Sequence, residues 1–284
     1  MEAPKDFVAF ILTHGRADNV KTYATLRKGG YTGDIRLIID DEDDQADDYF
    51  RNFPGEVVQF HKAGVECDTY DNRKERRVIL FARNAAFDIA EKLGYRYFIE
   101  LDDDYEYFCY RFNKEFQWHQ KLMYNLDEVF VTMLEFLKSL PSVKTIAFAQ
   151  GGDYVGGGTS TRARKITLWR KAMNSFICDT QRRFQFSGRI NEDVNTYTTL
   201  GSRGELFFTL NLVSLQQGTT QQSKGGMTGA YLDGGTYVKS FYTVITMPSA
   251  VKIDFMGNKN YRLHHMVDWR RCVPLILPEK VKKQ

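Results

Sequence analysis

Three consecutive carboxylates, Asp102-Asp103-Asp104, follow directly on the apolar run Tyr97-Phe98-Ile99-Glu100-Leu101. On an extended backbone alternate side chains share a face, so Asp102 and Asp104 are expected to point together and Asp103 away from them. Two carboxylates about 5 Å apart repel by roughly 3 kcal/mol at an effective dielectric near 20. A divalent cation between them turns that repulsion into attraction. An all-oxygen ligand set favours magnesium, manganese or calcium over zinc. A bare run of three aspartates is commonly a solvated turn. Here it closes a hydrophobic strand that itself follows a long helix, and that setting favours a cation site.

Four other groups bear on the same chemistry. The apolar run Ile35 to Ile39 also ends in acid, Asp40-Asp41-Glu42-Asp43-Asp44. Ligands of open α/β sheets sit beyond the carboxyl ends of the strands, so two such strands suggest one shared edge. Most of Glu42 to Asp48 reads as the acidic first turn of a helix, with Asp40 or Asp41 as the ligand contacts. Glu192-Asp193 stands at a helix start after a loop; it is either an ordinary acidic N-terminus or a carboxylate base placed where a substrate hydroxyl arrives. Arg83 can reach a phosphate or a strand-end carboxylate, or lie in solvent. His264-His265 is either a plain surface pair or the imidazole that completes a metal site built on carboxylates.

The elements that must position these residues follow from periodicity. Phe7 to Thr13 reads as a buried first strand and Val20 to Lys28 as a helix ended by Gly29-Gly30. Ile35 to Ile39 and Val57 to Phe60 are further strands. Asn72 with Glu75 forms a capping box for the clearest helix, whose apolar face is Val78, Phe81, Ala82, Ala85, Ile89 and Leu93. Arg83 and Asn84 fall off that face. A helix at Asn125 to Ser139 and a strand at Val143 to Ala149 complete a β-α-β-α-β order, which predicts an α/β fold with a mostly parallel central sheet and helices on both faces. Leu206, Phe208, Leu210 and Leu212 form the buried side of a later strand. The polar stretch Gln216 to Gly235 reads as a mobile loop, with a helix after it from Tyr237 to Thr246.

The glycine-rich run Gly151 to Gly158 lacks both the phosphate-loop pattern and the position of a dinucleotide fingerprint, and reads as an active-site loop. After it, Arg162, Arg164, Lys165 and Trp169-Arg170-Lys171 mix base with an aromatic. That combination binds nucleic acid through phosphates and stacking, or is a solvated basic strand.

Composition bounds the rest. The 284 residues are 43% hydrophobic, enough for one large α/β domain and against disorder. Lysine and arginine number 39 against 36 acids, a balance that selects no partner. Four distant cysteines carry no zinc spacing and imply no disulfides. The charged Met1 to Asp6 and the short apolar run after it do not make a signal peptide, and no run is long enough to span a bilayer. Neither an internal repeat nor a domain linker is visible.

The hydrophobic strand ending in Asp102-Asp103-Asp104 resembles the Asp-x-Asp motif of GT-A glycosyltransferases, with Arg83-Asn84, Glu192-Asp193 and a late histidine following in that fold's order. Within the fold, Gly188-Arg189-Ile190-Asn191-Glu192-Asp193-Val194-Asn195 and Arg262-Leu263-His264-His265, with Trp269 and Pro274, resemble the bacteriophage TET-associated glycosyltransferases. The resemblance implies a GT-A-like, Rossmann-like domain over 1–284, with a nucleotide-sugar half about 1–150 and an acceptor half about 151–284. It implies sugar transfer from a uridine diphosphate sugar to 5-hydroxymethylcytosine in double-stranded phage DNA, in the cytoplasm of the infected host. Manganese or magnesium would be held by Asp102 and Asp104 with His264 or His265. Arg16, Asp40, Asp41, Arg83, Asp102 and Asp103 would hold the donor. Asp193, or in second place Glu192, would take the acceptor proton in an inverting reaction; in a retaining one Asp193 would orient the acceptor. Arg162, Arg164, Lys165, Arg182 and Arg183 would position the DNA backbone. Three rivals share parts of this reading: a transferase to a glycan, lipid or protein, a nucleotidyltransferase, and a non-catalytic nucleic-acid-binding protein.

Overall fold

The structure, a computed structural model, describes residues 2–71, 78–150, 174–217, 228–256 and 262–274. Its centre is a nine-stranded sheet with strand order β3-β2-β1-β4-β8-β7-β9-β5-β6. In chain order these strands are β1 (Phe7–Leu12), β2 (Asp34–Asp40), β3 (Val57–Phe60), β4 (Tyr97–Asp102), β5 (Tyr105–Phe112), β6 (Trp118–Leu122), β7 (Val143–Gln150), β8 (Ser175–Asp179) and β9 (Leu206–Gln217). The helices are α1 (Lys21–Lys28), α2 (Ala46–Asn52), α3 (Leu80–Lys92), α4 (Leu126–Lys138), α5 (Glu192–Ser202) and α6 (Thr228–Thr246).

Alternation along β1 explains the layers. Phe7, Ala9 and Ile11 pack on one side with Leu26 of α1, Tyr49 of α2 and Leu126 and Phe130 of α4. Val8, Phe10 and Leu12 pack on the other with Phe81 to Ala90 of α3 and with Val194 and Tyr197 of α5. All six β1 residues are therefore buried, and the strand reads as one continuous apolar run. The expected α/β class with helices on both faces holds.

The sheet is mixed. It is parallel through β3-β2-β1-β4 and again between β7 and β9, and antiparallel where β8 meets β4 and β7 and where β5 meets β9 and β6. The hairpin β5–β6, directly after the aspartates, had no counterpart in the periodicity. Strands β8 and β9, from the later half of the chain, lie within the sheet that the earlier half begins.

Two expectations are corrected. In β9 the more buried side is Phe207, Thr209, Asn211 and Val213, while Leu212 is exposed. The sequence phase was opposite because both faces of this strand are partly covered. The polar stretch from Gln216 is the end of β9, and the helix expected from Tyr237 begins at Thr228, broken at Gly235 with φ 66° and ψ 179°. Residues 218–227 between them, the capping box at Asn72 and Glu75, the glycine-rich run 151–158 and the basic tail 280–283 lie outside the described residues.

The C-terminal hairpin of β10 (Val251–Met256) and β11 (Arg262–Val267) packs on α6, which in turn touches α5. The four cysteines are free. Among the described residues no helix is long and apolar enough to cross a membrane.

Candidate active site

The carboxyl ends of β1, β2 and β4 lie side by side, since Leu12 pairs with both Ile38 and Asp102. The loop after β1 is stapled across this edge. Thr13 Oγ1 donates to Asp103 Oδ2 at 2.7 Å, and Arg16 Nη1 donates to Asp103 Oδ1 at 2.5 Å. Gly15 N donates to Asp43 at 2.8 Å and Arg16 N to the Tyr49 hydroxyl at 2.8 Å. From the other side α1 fixes the aspartate turn. Thr22 N donates to Asp103 O at 3.1 Å, Thr22 Oγ1 donates to Asp102 O at 2.6 Å, and Tyr105 N donates to Thr22 Oγ1 at 3.0 Å.

The three aspartates thus meet three environments. Asp103 turns to Thr13 and Arg16; the strand ends at Asp102, and Asp103 and Asp104 lie in the turn before β5, so strand alternation does not govern them. Asp102 accepts from Arg83 Nη2 at 2.8 Å and from Asn174 Nδ2 at 3.1 Å. Asp104 accepts from the Gln217 side-chain amide at 2.9 and 3.1 Å. Burial, then the charges of Asp102 and Asp103, push the Asp104 carboxyl up to about 6. Among the described residues no cation forms an ion pair with it.

Arg83 is the hub of the site. It is fully buried, and its guanidinium reaches Glu192 at 3.0 Å, Glu100 at 3.3 Å and Asp102 at 2.8 Å. Burial alone would push its pKa down; the charges of Asp102, Glu192 and Glu100 reverse that and hold it charged. Of the three open readings for Arg83, the strand-end carboxylate is the one realised, and solvent exposure is ruled out. The carboxylates outnumber it. Burial raises Glu100 to about 8 and Glu192 to about 7, with Arg83 opposing both shifts.

A carboxyl raised from 4.5 to about 8 on folding keeps a proton that the unfolded chain has released. Its contribution to stability is full below the unfolded pKa and is lost as pH rises through the folded one. Glu100→Gln, which is permanently neutral, is expected to flatten the fall in stability across that interval. Thermal melts in steps from about pH 5 to about pH 8 check this; an unchanged slope would refute it.

The start of α5 is held by residues the sequence left unexplained. Asn191 adopts the left-handed conformation (φ 56°) that asparagine tolerates better than most residues. Its Nδ2 donates to Lys239 O at 2.7 Å and lies 3.5 Å from His265 Nδ1. Arg189, buried, donates to Asp71 at 2.9 Å and to the Tyr242 hydroxyl at 3.2 Å. Gly188 has φ 88°, and an added Cβ there would come within 2.3 Å of Asn195 Nδ2, so only glycine fits. Together these place Glu192 against Arg83 and set buried Asp193 beside it.

At the carboxyl end of β2, Asp40 is paired with Lys62 Nζ at 2.8 Å and His14 Nδ1 at 2.9 Å. Burial works against its charge, but these two hydrogen bonds hold its pKa below the usual range. Asp41 is more exposed and pairs with His61 and with Lys62 N. Lys62 is 1% exposed; its setting, Lys-Ala-Gly in a short loop, gave no sign of burial.

The remaining expected site residues fall elsewhere. Among the described residues no group of three or more His, Cys, Asp or Glu is arranged to hold a metal, so His264 and His265 do not join Asp102 and Asp104. Their rings stack on each other at 4.3 Å, and His265 faces the α5 start. Arg182 donates to Asp179 and to the carbonyls of Leu137, Leu140 and Val143. It caps the end of α4. Arg183 pairs with Asp88 and Glu91. Both follow Asp179, which pairs with Tyr97 at the opposite end of β4 from Asp102. Arg162, Arg164 and Lys165 lie outside the described residues.

At the carboxyl edge of the parallel strands, Asp102 is thus joined through Arg83 to Glu192 at the start of α5. Residues 7–226 match the model of the TET-Associated Glycosyltransferase family, and the chain belongs to that family. That family is by name one of glycosyltransferases, and the sheet with helices on both faces is the α/β arrangement expected. No curated protein matches the chain. Among solved structures it is similar to S. aureus TarS 1–349, with 10% identity, TM-score 0.45, 78% of this chain covered and 61% of that one. It is also similar to glucosyl-3-phosphoglycerate synthase from Mycobacterium tuberculosis, solved with Mn2+, uridine diphosphate and phosphoglyceric acid, with 11% identity, TM-score 0.47, and 97% and 90% covered. The chain thus spans less than two thirds of the TarS fragment, and nothing about donor or acceptor follows from either likeness.

Proposed function

We propose that the protein transfers a sugar from a uridine diphosphate donor to the hydroxymethyl group of 5-hydroxymethylcytosine in double-stranded DNA, with a divalent cation. The observation that carries this reading is the pairing of two carboxylate groups through Arg83. Asp102 and Asp104 stand at the nucleotide-type edge, and Glu192 and Asp193 stand at the start of α5. The family's association with TET supports the modified pyrimidine as acceptor.

Asp104 and Asp102 fit a hard cation. Both offer oxygen, and among the described residues Asp104 is a desolvated carboxyl with only a neutral amide as hydrogen-bond donor. Two protein carboxylates suffice where donor phosphates and water complete the shell. A cation there would neutralise charge on the departing diphosphate. Arg16 and the β2 edge hold the nucleoside, in a donor half within about 1–150. The acceptor enters on the side of α5, in the half beyond 150. Asp193 takes the proton from the acceptor hydroxyl as its oxygen bonds to the anomeric carbon and the bond to phosphate breaks, releasing uridine diphosphate. Glu192, tied to Arg83, is left to position that arrangement.

The acceptor base must leave the stack or be met in the major groove; flipping costs a few kcal/mol. With Arg182 and Arg183 paired within the fold, phosphate contacts fall to Arg162, Arg164 and Lys165, which lie outside the described residues. Binding to duplex DNA is expected to weaken with salt, with a log–log slope of about 0.9 per phosphate contact. A flat salt response would remove DNA as the partner.

Nucleoside mass spectrometry tests the whole reading. The protein is incubated with manganese, uridine diphosphate sugars and duplex DNA carrying 5-hydroxymethylcytosine, with Asp104→Ala in parallel. A sugar-sized mass gain on the modified cytosine, absent in the variant, is expected. Metal-dependent release of uridine diphosphate without that gain would keep the donor and overturn the DNA acceptor. Release of pyrophosphate from a nucleoside triphosphate would overturn both.

A further inference from the structure

At the donor edge, the carboxylate of Asp40 is already spent. Its Oδ1 receives Lys62 Nζ at 2.8 Å and Glu42 N at 3.0 Å, and its Oδ2 lies 2.9 Å from His14 Nδ1. Lys62, 1% exposed, has no room to swing away. What this cluster turns outward is the His14 imidazole, whose side chain is 25% exposed. Its Nδ1 faces Asp40, with Asp43 at 3.6 Å, and Asp43 is itself held by Gly15 N and Gln45 N. Among the described residues no hydrogen bond reaches Nε2. The ring is oriented by a carboxylate on one nitrogen and open on the other, the arrangement that fixes an imidazole's tautomer.

We propose that His14 is the residue that reads the donor's nucleobase, its Nε2 accepting from a base that presents an imide N–H. This deepens the donor assignment above and rests on it. With Nδ1–H donated to Asp40, the neutral ring offers a lone pair at Nε2. Uracil carries the matching N3–H. Cytosine presents a lone pair at N3 and meets lone pair with lone pair. Sites that satisfy a buried or half-buried polar group reject the analogue that leaves it unpaired more strongly than apolar pockets reject a change of size.

Protonation removes the acceptor. The Asp40 hydrogen bond, then the charges of Asp40 and Asp43, raise the His14 pKa against burial and against Lys62. These are the charged groups from β2, the loop after it and the turn after β3. Preference for uridine is therefore expected to grow as pH rises through the range where this imidazole loses its proton.

Calorimetric titration with uridine diphosphate and with cytidine diphosphate tests the proposal without turnover. The wild-type chain is expected to bind the uridine compound more tightly. In His14→Ala that affinity falls about three- to tenfold, the worth of one hydrogen bond, and the preference disappears. In His14→Gln, whose amide can present either an acceptor or a donor, affinity returns while cytidine diphosphate binds nearly as well. Melting curves of both variants show that the fold is intact. Uridine preference that survives in both variants would overturn the role of His14 and leave the donor assignment standing. A wild-type chain that binds neither compound would overturn the donor assignment, and the role of His14 with it.

Discussion

Replacing Arg83 with methionine is expected to lower stability by about 3–5 kcal/mol, the cost of stranding buried charge. That is a large share of the roughly 5–15 kcal/mol that separates folded from unfolded chains. Methionine fills much of the volume, so the loss is electrostatic. Three carboxylates, Glu100, Asp102 and Glu192, share this one guanidinium, and Glu100 and Glu192 are buried with it. They escape by taking up protons, which Glu192 and Glu100 already do near 7 and 8. The loss is therefore smallest in mild acid and grows as pH rises, because each proton held by the folded form must then be taken from a scarcer supply. Urea unfolding in mildly acidic and mildly alkaline buffer measures both quantities. Adding Glu100→Gln and Glu192→Gln to Arg83→Met should recover part of the loss, since groups in one network are not additive. Equal stability of Arg83→Met and wild type in the alkaline buffer would mean that the carboxylates do not depend on this arginine.

The second large effect is kinetic. Asp193→Asn is expected to slow sugar transfer by about 10² to 10⁴, the usual contribution of a positioned base, while leaving the fold unchanged. The two side chains have the same shape, and the α5 start is fixed independently by Asn191 and Arg189. Glu192 cannot take over, because its Oε1 is held by Arg83 Nε at 3.0 Å. Single-turnover transfer at saturating donor isolates the step. Slow hydrolysis of the donor by water should persist in the variant, showing that the donor side is intact. Transfer within about tenfold of wild type would exclude Asp193 as the base.

How much of this could be read from residues alone depended on range. The strand Val57–Phe60, the ends of α1 and α4 and the acidic ends of β2 and β4 follow from local pattern and were legible. The hairpin β5–β6 was not. Tyr105 to Phe112 mixes Glu106 and Arg111 among aromatics, and β6 is exposed along its whole length, so neither strand shows a clean alternation. Arg83 reads locally as a charge on the solvent side of a helix. Its burial arises from partners 17, 19 and 109 residues away, which no local period encodes. The same holds for Lys62, 1% exposed and hidden by Asp40 and Glu42. Asp193 and Glu192 were visible as a pair, with Asp193 placed first; that Glu192 is held by Arg83 was not visible. His264 and His265 looked like metal ligands because histidine suits that task; the topology brings His265 to Asn191 instead.

The amide of Gln217, the last residue of β9, straddles both oxygens of Asp104 at 2.9 and 3.1 Å. Whatever else wants that carboxylate has a rival already in place. A cation arriving at Asp104 must evict an uncharged tenant, so its affinity carries a standing handicap of about 1 kcal/mol, one ordinary hydrogen bond. By reciprocity, an occupied Asp104 releases the end of β9. Strand β9, held between β7 and β5, and the chemistry at its tip are in this way two readers of one carboxylate, and Gln217→Ala should tighten manganese binding about fivefold by removing the competitor.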